Sequence, residues 1–256
     1  MAARSRVANL TEGTIWKELV LFALPLMASN LFQQLYNTAD SLVVGRFVGS
    51  TALAAVGSTG SITGLVIAFF MGMGTGSGVV ISQYYGARDY DNLHKSVHTA
   101  VALAIAFGIG LAIIGVILTP YMLRWMGTPD DVMGQATEYL SIYFIGIISL
   151  TVYNIGSGIL RAVGDSKRPL YYLIVAGITN VVLNLVFVIV FNMGVAGVAW
   201  ATIASQVLSS ILVIANLMRS QGPFRLVLKD IRFHKSILLQ IAKIGLPAGV
   251  QSMVIS

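Results

Sequence analysis

The stretch "LYNTADSLVVGRFVG", residues 35–49, sets one carboxylate, Asp40, among alanine, serine, leucine and valines. An acid in such surroundings has two chemical uses: it can take up and release a proton, or it can hold a cation. Asn30, Gln33, Asn37 and Asp40 follow one another at spacings of three, four and three, which is one face of a helix. Unpaired amides are costly in an apolar medium, so this stripe is predicted to point inward, with Gln34 and Tyr36 beside it. Further along, Asn180 and Asn184 stand four apart in "ITNVVLNLVF", and Thr202 and Gln206 four apart in "AWATIASQ". Tyr153 and Asn154 add a polar pair to another apolar run. Singly, such groups glue helices together at about 1 kcal/mol per bond. Together, beside one acid, they predict a hydrated cavity. The competing placement has Asp40 solvated at the outer membrane boundary, close to Arg46.

The elements that hold these residues are apolar throughout. Of 256 residues 56% are hydrophobic and only 10% charged, and the mean hydropathy is +0.82, far from the composition of a soluble domain. Runs long enough for a membrane helix fall at about 17–44, 52–84, 97–123, 138–160, 169–191 and 195–218, with a seventh from about 236. They are too long and too evenly apolar for barrel strands, so an all-α polytopic membrane protein is expected. The N-terminal tail and every second loop carry thirteen lysines and arginines, against Arg46 and Arg124 on the other side. That bias predicts a cytoplasmic N-terminus in the cytoplasmic membrane, and it assigns the basic charge to topology rather than to nucleic acid.

Pro25 in "LVLFALPLMASNLFQ" and Pro247 in "LLQIAKIGLPAGVQS" are 222 residues apart, each preceded by leucine and by a basic run. Six helices and then an echo of the first suggest one complete repeat and the opening of a second. The domains expected are a tail at 1–16, a six-helix lobe at 17–218, a basic cytoplasmic linker at 219–235 and the first helix of a second lobe at 236–256. Pro25 is the candidate hinge.

Other motifs are less informative. "GMGTGSG", residues 72–78, lies inside a span and lacks the lysine of a phosphate loop; its glycine pairs 72/76 and 74/78 suit close helix packing. His94 and His98 could share a metal, yet no third ligand is near in sequence, so an exposed pair at a helix start and no metal site are expected. With no cysteine and no serine–histidine–acid set, no enzyme activity is expected.

In order along the chain, "YNTADSLVVGRFVGSTALAAVG", "GSGVVISQYYGARD", "GILRAVGDSKRP", "NVVLNLVFV", "GVAGVAWATIASQ" and "GLPAGVQS" resemble the multidrug and toxic compound extrusion (MATE) transporters. The resemblance implies two six-helix lobes, of which this chain holds the N-terminal one and the start of helix 7, with the C-terminal lobe needed for transport. It implies export of small organic, often cationic, compounds across the lipid bilayer in exchange for protons or sodium ions, with no other cofactor. Asp40 matches the family's first-helix acid for cation coupling, Asn180 a fifth-helix asparagine beside it, and Thr202 a sixth-helix hydroxyl. Asn184 stands where many relatives carry a second acid, which makes a proton on Asp40 a simpler coupling ion than sodium. Gln33, Gln34, Tyr36, Asn37, Tyr153, Asn154 and Gln206 are the expected substrate-cavity residues. A lipid-linked precursor flippase of the same superfamily, or an inactive lobe serving as a membrane scaffold, are the alternatives.

Overall fold

The computed structural model describes residues 15–255. The tail expected at 1–16, including Arg4, Arg6 and Glu12, falls outside them as far as residue 14. Seven long helices follow one another: α1 (Ile15–Val43), α2 (Ser50–Gly86), α3 (Tyr90–Trp125), α4 (Asp130–Ala162), α5 (Lys167–Leu185), α6 (Gly194–Arg219) and α7 (Lys235–Ile255). The fold is all-α and polytopic. Among the described residues, α2 to α7 are long and apolar enough to cross a membrane. By sequence α1 is also a span, and at 29 residues it has the length. Most helices overrun the apolar segments because polar residues continue them. Asp89, for example, caps α3 by accepting from the Asn92 backbone N–H at 3.2 Å. The Asn92 side chain and then its backbone N–H hold the Asp89 carboxyl below the usual carboxylate range.

α4 sits at the centre, against α2, α3 and α6, while α1 rests chiefly on α5 and α7 lies along α2. The glycine run of α2 explains two of these contacts. A Cβ on Gly72 would stand 2.3 Å from the Gly249 backbone, and one on Gly76 2.4 Å from that of Gly245. On the next face, Gly74 and Gly78 approach the carbonyls of Asn154 and Gly158 on α4. Both glycine pairs are therefore used, one for each neighbour, and backbone touches backbone where hydrocarbon alone would not hold helices together.

The segment 219–235 is docked on the helices. Leu226 is 1% exposed within the core that Val97, Leu217 and Ile241 also line. All three histidines of the chain gather here. His98 is fully buried rather than exposed: its Nδ1–H donates to the His94 carbonyl at 2.7 Å, and its Nε2 accepts the Val227 N–H at 3.0 Å. The His234 backbone N–H donates to Thr99 Oγ1 at 3.2 Å. Burial, then the charges of Arg232 and Lys95, hold the His234 imidazole below the ordinary histidine range. Asp230, brought in by the docked segment, lies 3.6 Å from His94, and the ligand atoms of His94, His98 and Asp230 fall within 4.8 Å of one another. With both its nitrogens engaged, His98 acts as a strut that ties the segment to α3.

Three outcomes are expected. Gly72→Ala pushes α2 off α7 and lowers stability by about 1–3 kcal/mol, seen as earlier thermal unfolding in detergent. Gly57→Ala, with nothing within 4 Å of its Cβ, leaves the unfolding temperature unchanged. His98→Ala strips the buried Val227 N–H of its acceptor at a cost of about 1–3 kcal/mol, so trypsin cuts faster after Arg225 and Lys229.

Candidate functional site

Asp40 lies on the face of α1 that meets α5, one turn before the helix leaves its α geometry, and it is 8% exposed. Its carboxylate takes hydrogen bonds from two other helices. Asn184 Nδ2 of α5 donates to Oδ1 at 2.5 Å, and Thr202 Oγ1 of α6 stands 3.4 Å from Oδ2. Behind them, Asn180 Nδ2 donates to Thr202 Oγ1 at 3.4 Å, and Asn184 Nδ2 also donates to Asn180 Oδ1 at 3.1 Å. Asn180 and Asn184 are both fully buried. Asp40 is therefore not the solvated boundary acid of the competing placement, and the exposed Arg46 is not its partner.

Asn184 and Thr202 both aim a donor at the acid. An ionised carboxylate only accepts, so each hydrogen delivered to it offsets part of the cost of removing its charge from water. Asn184 Nδ2 gives one hydrogen to Asp40 and the other to Asn180 Oδ1, while Asn184 Oδ1 is buried without a partner. Thr202 has one proton to give and two acceptors within reach, Asp40 and the Val198 carbonyl at 3.0 Å. The arrangement can thus be redrawn without moving a helix: Thr202 can turn to Val198, and the Asn184 amide can turn over to present oxygen.

Tyr36, one turn before Asp40, joins the same side through its hydroxyl, 3.3 Å from Ser205 Oγ, while Ser205 donates to the Thr202 carbonyl at 2.8 Å. Tyr139 and Tyr143 of α4 stack at 6.4 Å between ring centres, and Tyr139 is within electrostatic reach of Asp40. Nothing in the sequence marked Ser205, Tyr139 or Tyr143; only their place one to three residues from polar neighbours, or inside an aromatic-rich run, could have drawn attention.

The rest of the expected polar face divides. Asn30, Gln33, Gln34 and Asn37 are exposed, not turned into the bundle. At about 100° per residue, Asn30 and Asn37 lie some 100–120° round α1 from the row of Pro25, Tyr36, Asp40 and Val43 that packs inward. Tyr153 donates to the Pro169 carbonyl at 3.0 Å near the start of α5, about 16 Å along that helix from Asn180. Asn154 donates back to Leu150 O at 2.9 Å, where α4 crosses α2. Gln206 is half-buried one turn beyond Thr202. Among the described residues, none of these hydrogen-bonds to Asp40. α1 continues unbroken through Pro25, and Ser29 donates to the Pro25 carbonyl at 2.8 Å.

The MatE family profile matches residues 25–186, which includes most of α1, all of α2 to α5 and the acid of the site. The chain is 35% identical over 97% of its length to the "Probable multidrug resistance protein YpnP" of Bacillus subtilis (strain 168), covering 55% of that protein. It is 23% identical over 94% of its length to the "Multidrug export protein MepA" of Staphylococcus saprophyticus, covering 54%. A crystal structure described as MATE in the bent conformation superposes with a TM-score of 0.90 at 28% identity, over 97% of this chain and 56% of that one. The chain thus spans a little over half the length of the relatives it matches. A helical membrane bundle of this topology, with its buried acid on the first helix and a profile match across most of five helices, belongs to the MatE family.

Proposed function

We propose that this chain is the cation-coupling lobe of a multidrug exporter, one that trades a proton for a small organic compound, typically cationic, across the cytoplasmic membrane. The observation that carries the reading is the carboxylate of Asp40, buried on α1 and met by Asn184 and Thr202 from two separate helices. In this reading the N-terminus is cytoplasmic, α7 opens a second lobe, and that lobe supplies the opposing wall of the substrate cleft. The relatives named for multidrug resistance and multidrug export support the substrate class. Gln33, Gln34 and Asn37 then form the polar flank of α1 that faces the cleft.

The coupling step follows from hydrogen-bond chemistry. Ionised Asp40 accepts from Asn184 and Thr202. A proton arriving on one carboxylate oxygen makes that oxygen a donor, so it repels the amide hydrogen that faced it. Asn184 is suited to both states, because its amide can turn over and accept from the new O–H through the oxygen now left unpartnered. Thr202 at the same time turns to the Val198 carbonyl. Because α1 is held mainly by α5 and by these polar bonds, redrawing them frees its outer half to shift, with Pro25 as the pivot where one backbone N–H is missing. A sodium ion would need several oxygens at once, and one carboxylate with two amides and a hydroxyl is a lean set for a hard cation.

The test uses the protein expressed from its complete natural reading frame in everted vesicles of a pump-deficient bacterium. With a fluorescent organic cation as substrate, the parent shows efflux driven by a pH gradient. Asp40→Asn, neutral at every pH and nearly the same shape, lowers that efflux by about tenfold or more, while Asp40→Glu keeps part of it. Coupled efflux that Asp40→Asn leaves unaltered overturns the reading.

A further inference from the structure

Just beyond Asp40 on the outer side, the bundle closes over with hydrocarbon. Val43 and Val44 of α1, Tyr139 of α4, Val188 after α5, and Val195 and Val198 of α6 form one buried cluster. None is more than 8% exposed, and Val44 and Val198 are fully buried. The residues from α1, α5 and α6 lie within two turns of Asp40, Asn184 or Thr202 along their own helices, and Tyr139 of α4 packs with them. The cluster is therefore a collar between the acid and the outer ends of the helices.

Two of its members stand on unusual backbone. After Val43 the chain makes a π turn, Val44–Val48, in which the Gly49 N–H donates to the Val44 carbonyl five residues back at 3.1 Å. After Leu185 it makes a second, Val186–Val190, in which the Phe191 N–H donates to the Val186 carbonyl, also at 3.1 Å. The two turns touch each other. A π turn sets one extra residue into the helix and is a costlier conformation than the α form, so such turns persist where packing demands them. Val44 opens the first turn and Val188 lies within the second, and both belong to the buried cluster. On the remaining side of Asp40 the surface is polar, with Asn37, Ser41 and Gln33 exposed along α1.

We infer that Val44 and Val188, buried together where the paired π turns touch, are a dry seal that keeps the outer end of this lobe closed to ions and leaves the polar flank of α1 as the approach to Asp40. The inference rests on the coupling role given above to Asp40 and goes beyond it by naming the residues that make coupling obligatory. An exchanger must not show its ion site to both sides at once. A valine collar offers a cation no oxygen to replace its water, and a narrow apolar passage empties of water, which also breaks any water wire for protons. If the collar is breached, Asp40 can load from the outside and unload from its flank with no substrate aboard.

Val→Thr is the suitable breach, since it keeps the shape and adds a hydroxyl. In liposomes holding the full-length protein and a pH dye, with no substrate, V44T/V188T raises proton entry about tenfold over the parent, and adding Asp40→Asn removes the increase. Val213→Thr, buried in a separate core cluster, gives the parent rate and shows that a hydroxyl in the interior is not enough. A V44T/V188T protein that melts at the parent temperature yet does not leak overturns the seal, as does a leak that survives Asp40→Asn. If Asp40→Asn alone leaves coupled efflux intact, the coupling reading fails instead, whatever the leak shows.

Discussion

A carboxylate removed from water must be met by hydrogen bonds from its surroundings, and in this protein three helices are arranged around that demand. Asp40 of α1 takes its bonds from Asn184 of α5 and Thr202 of α6. Leaving such a charge unmet at the centre of a membrane costs a few kcal/mol at least, comparable to much of the stability of a small bundle. The acid therefore constrains which faces of α5 and α6 turn inward, and it explains why amides sit fully buried on helices that are otherwise hydrocarbon. It also makes the bundle sensitive to a single proton, because one added hydrogen reverses the direction of the bonds that join α1 to its neighbours.

The rest of the fold is divided between a tight side and a loose one. Around α2 the glycines bring backbones into contact with α4 and α7, and the docked segment 219–235 is tied to α3 through His98 and Thr99. Interfaces of that kind have little room to slide, since a shift of one side chain's width meets backbone at once. α1 has no such glycine crossing among the contacts of its described residues and leans on α5 instead. The helix that carries the ionisable group is thus the one least anchored by packing. Polar bonds replace packing there, and polar bonds can be rewritten by chemistry.

Much of this was readable from residue order, and what was not has physical reasons. The helices and the inward row of Asp40, Asn180, Asn184 and Thr202 show in spacing because a lone acid and paired amides are conspicuous against hydrocarbon. The glycine pairs of 72–78 were likewise visible as packing faces, although their partners were not. Gln33 and Asn37 were placed inward because three-and-four spacing covers a wide arc of a helix, and only tertiary packing decides which edge of that arc is buried. Tyr153 and Asn154 are polar for local reasons, one bonded to the start of α5 and the other to its own helix. The His98 strut joins residues 129 apart, a distance no local pattern carries. The π turns were silent because "VGRFV" and "VFVIV" have the composition of ordinary apolar helix.

Those π turns complete the logic of the site. An acid that must meet an ion needs a path, and an acid that must couple needs that path to be single. On α1 the two requirements fall on different sides of the same helix: an amide flank that water can wet, and a valine end that it cannot. Val44 follows Asp40, and Val188 follows Asn184, by four residues, so one turn of each helix leads from the polar site into the collar. The change from polar bonds to close-packed valine is thus made within a single turn of the charged group, so wet and dry surroundings meet at Asp40 itself.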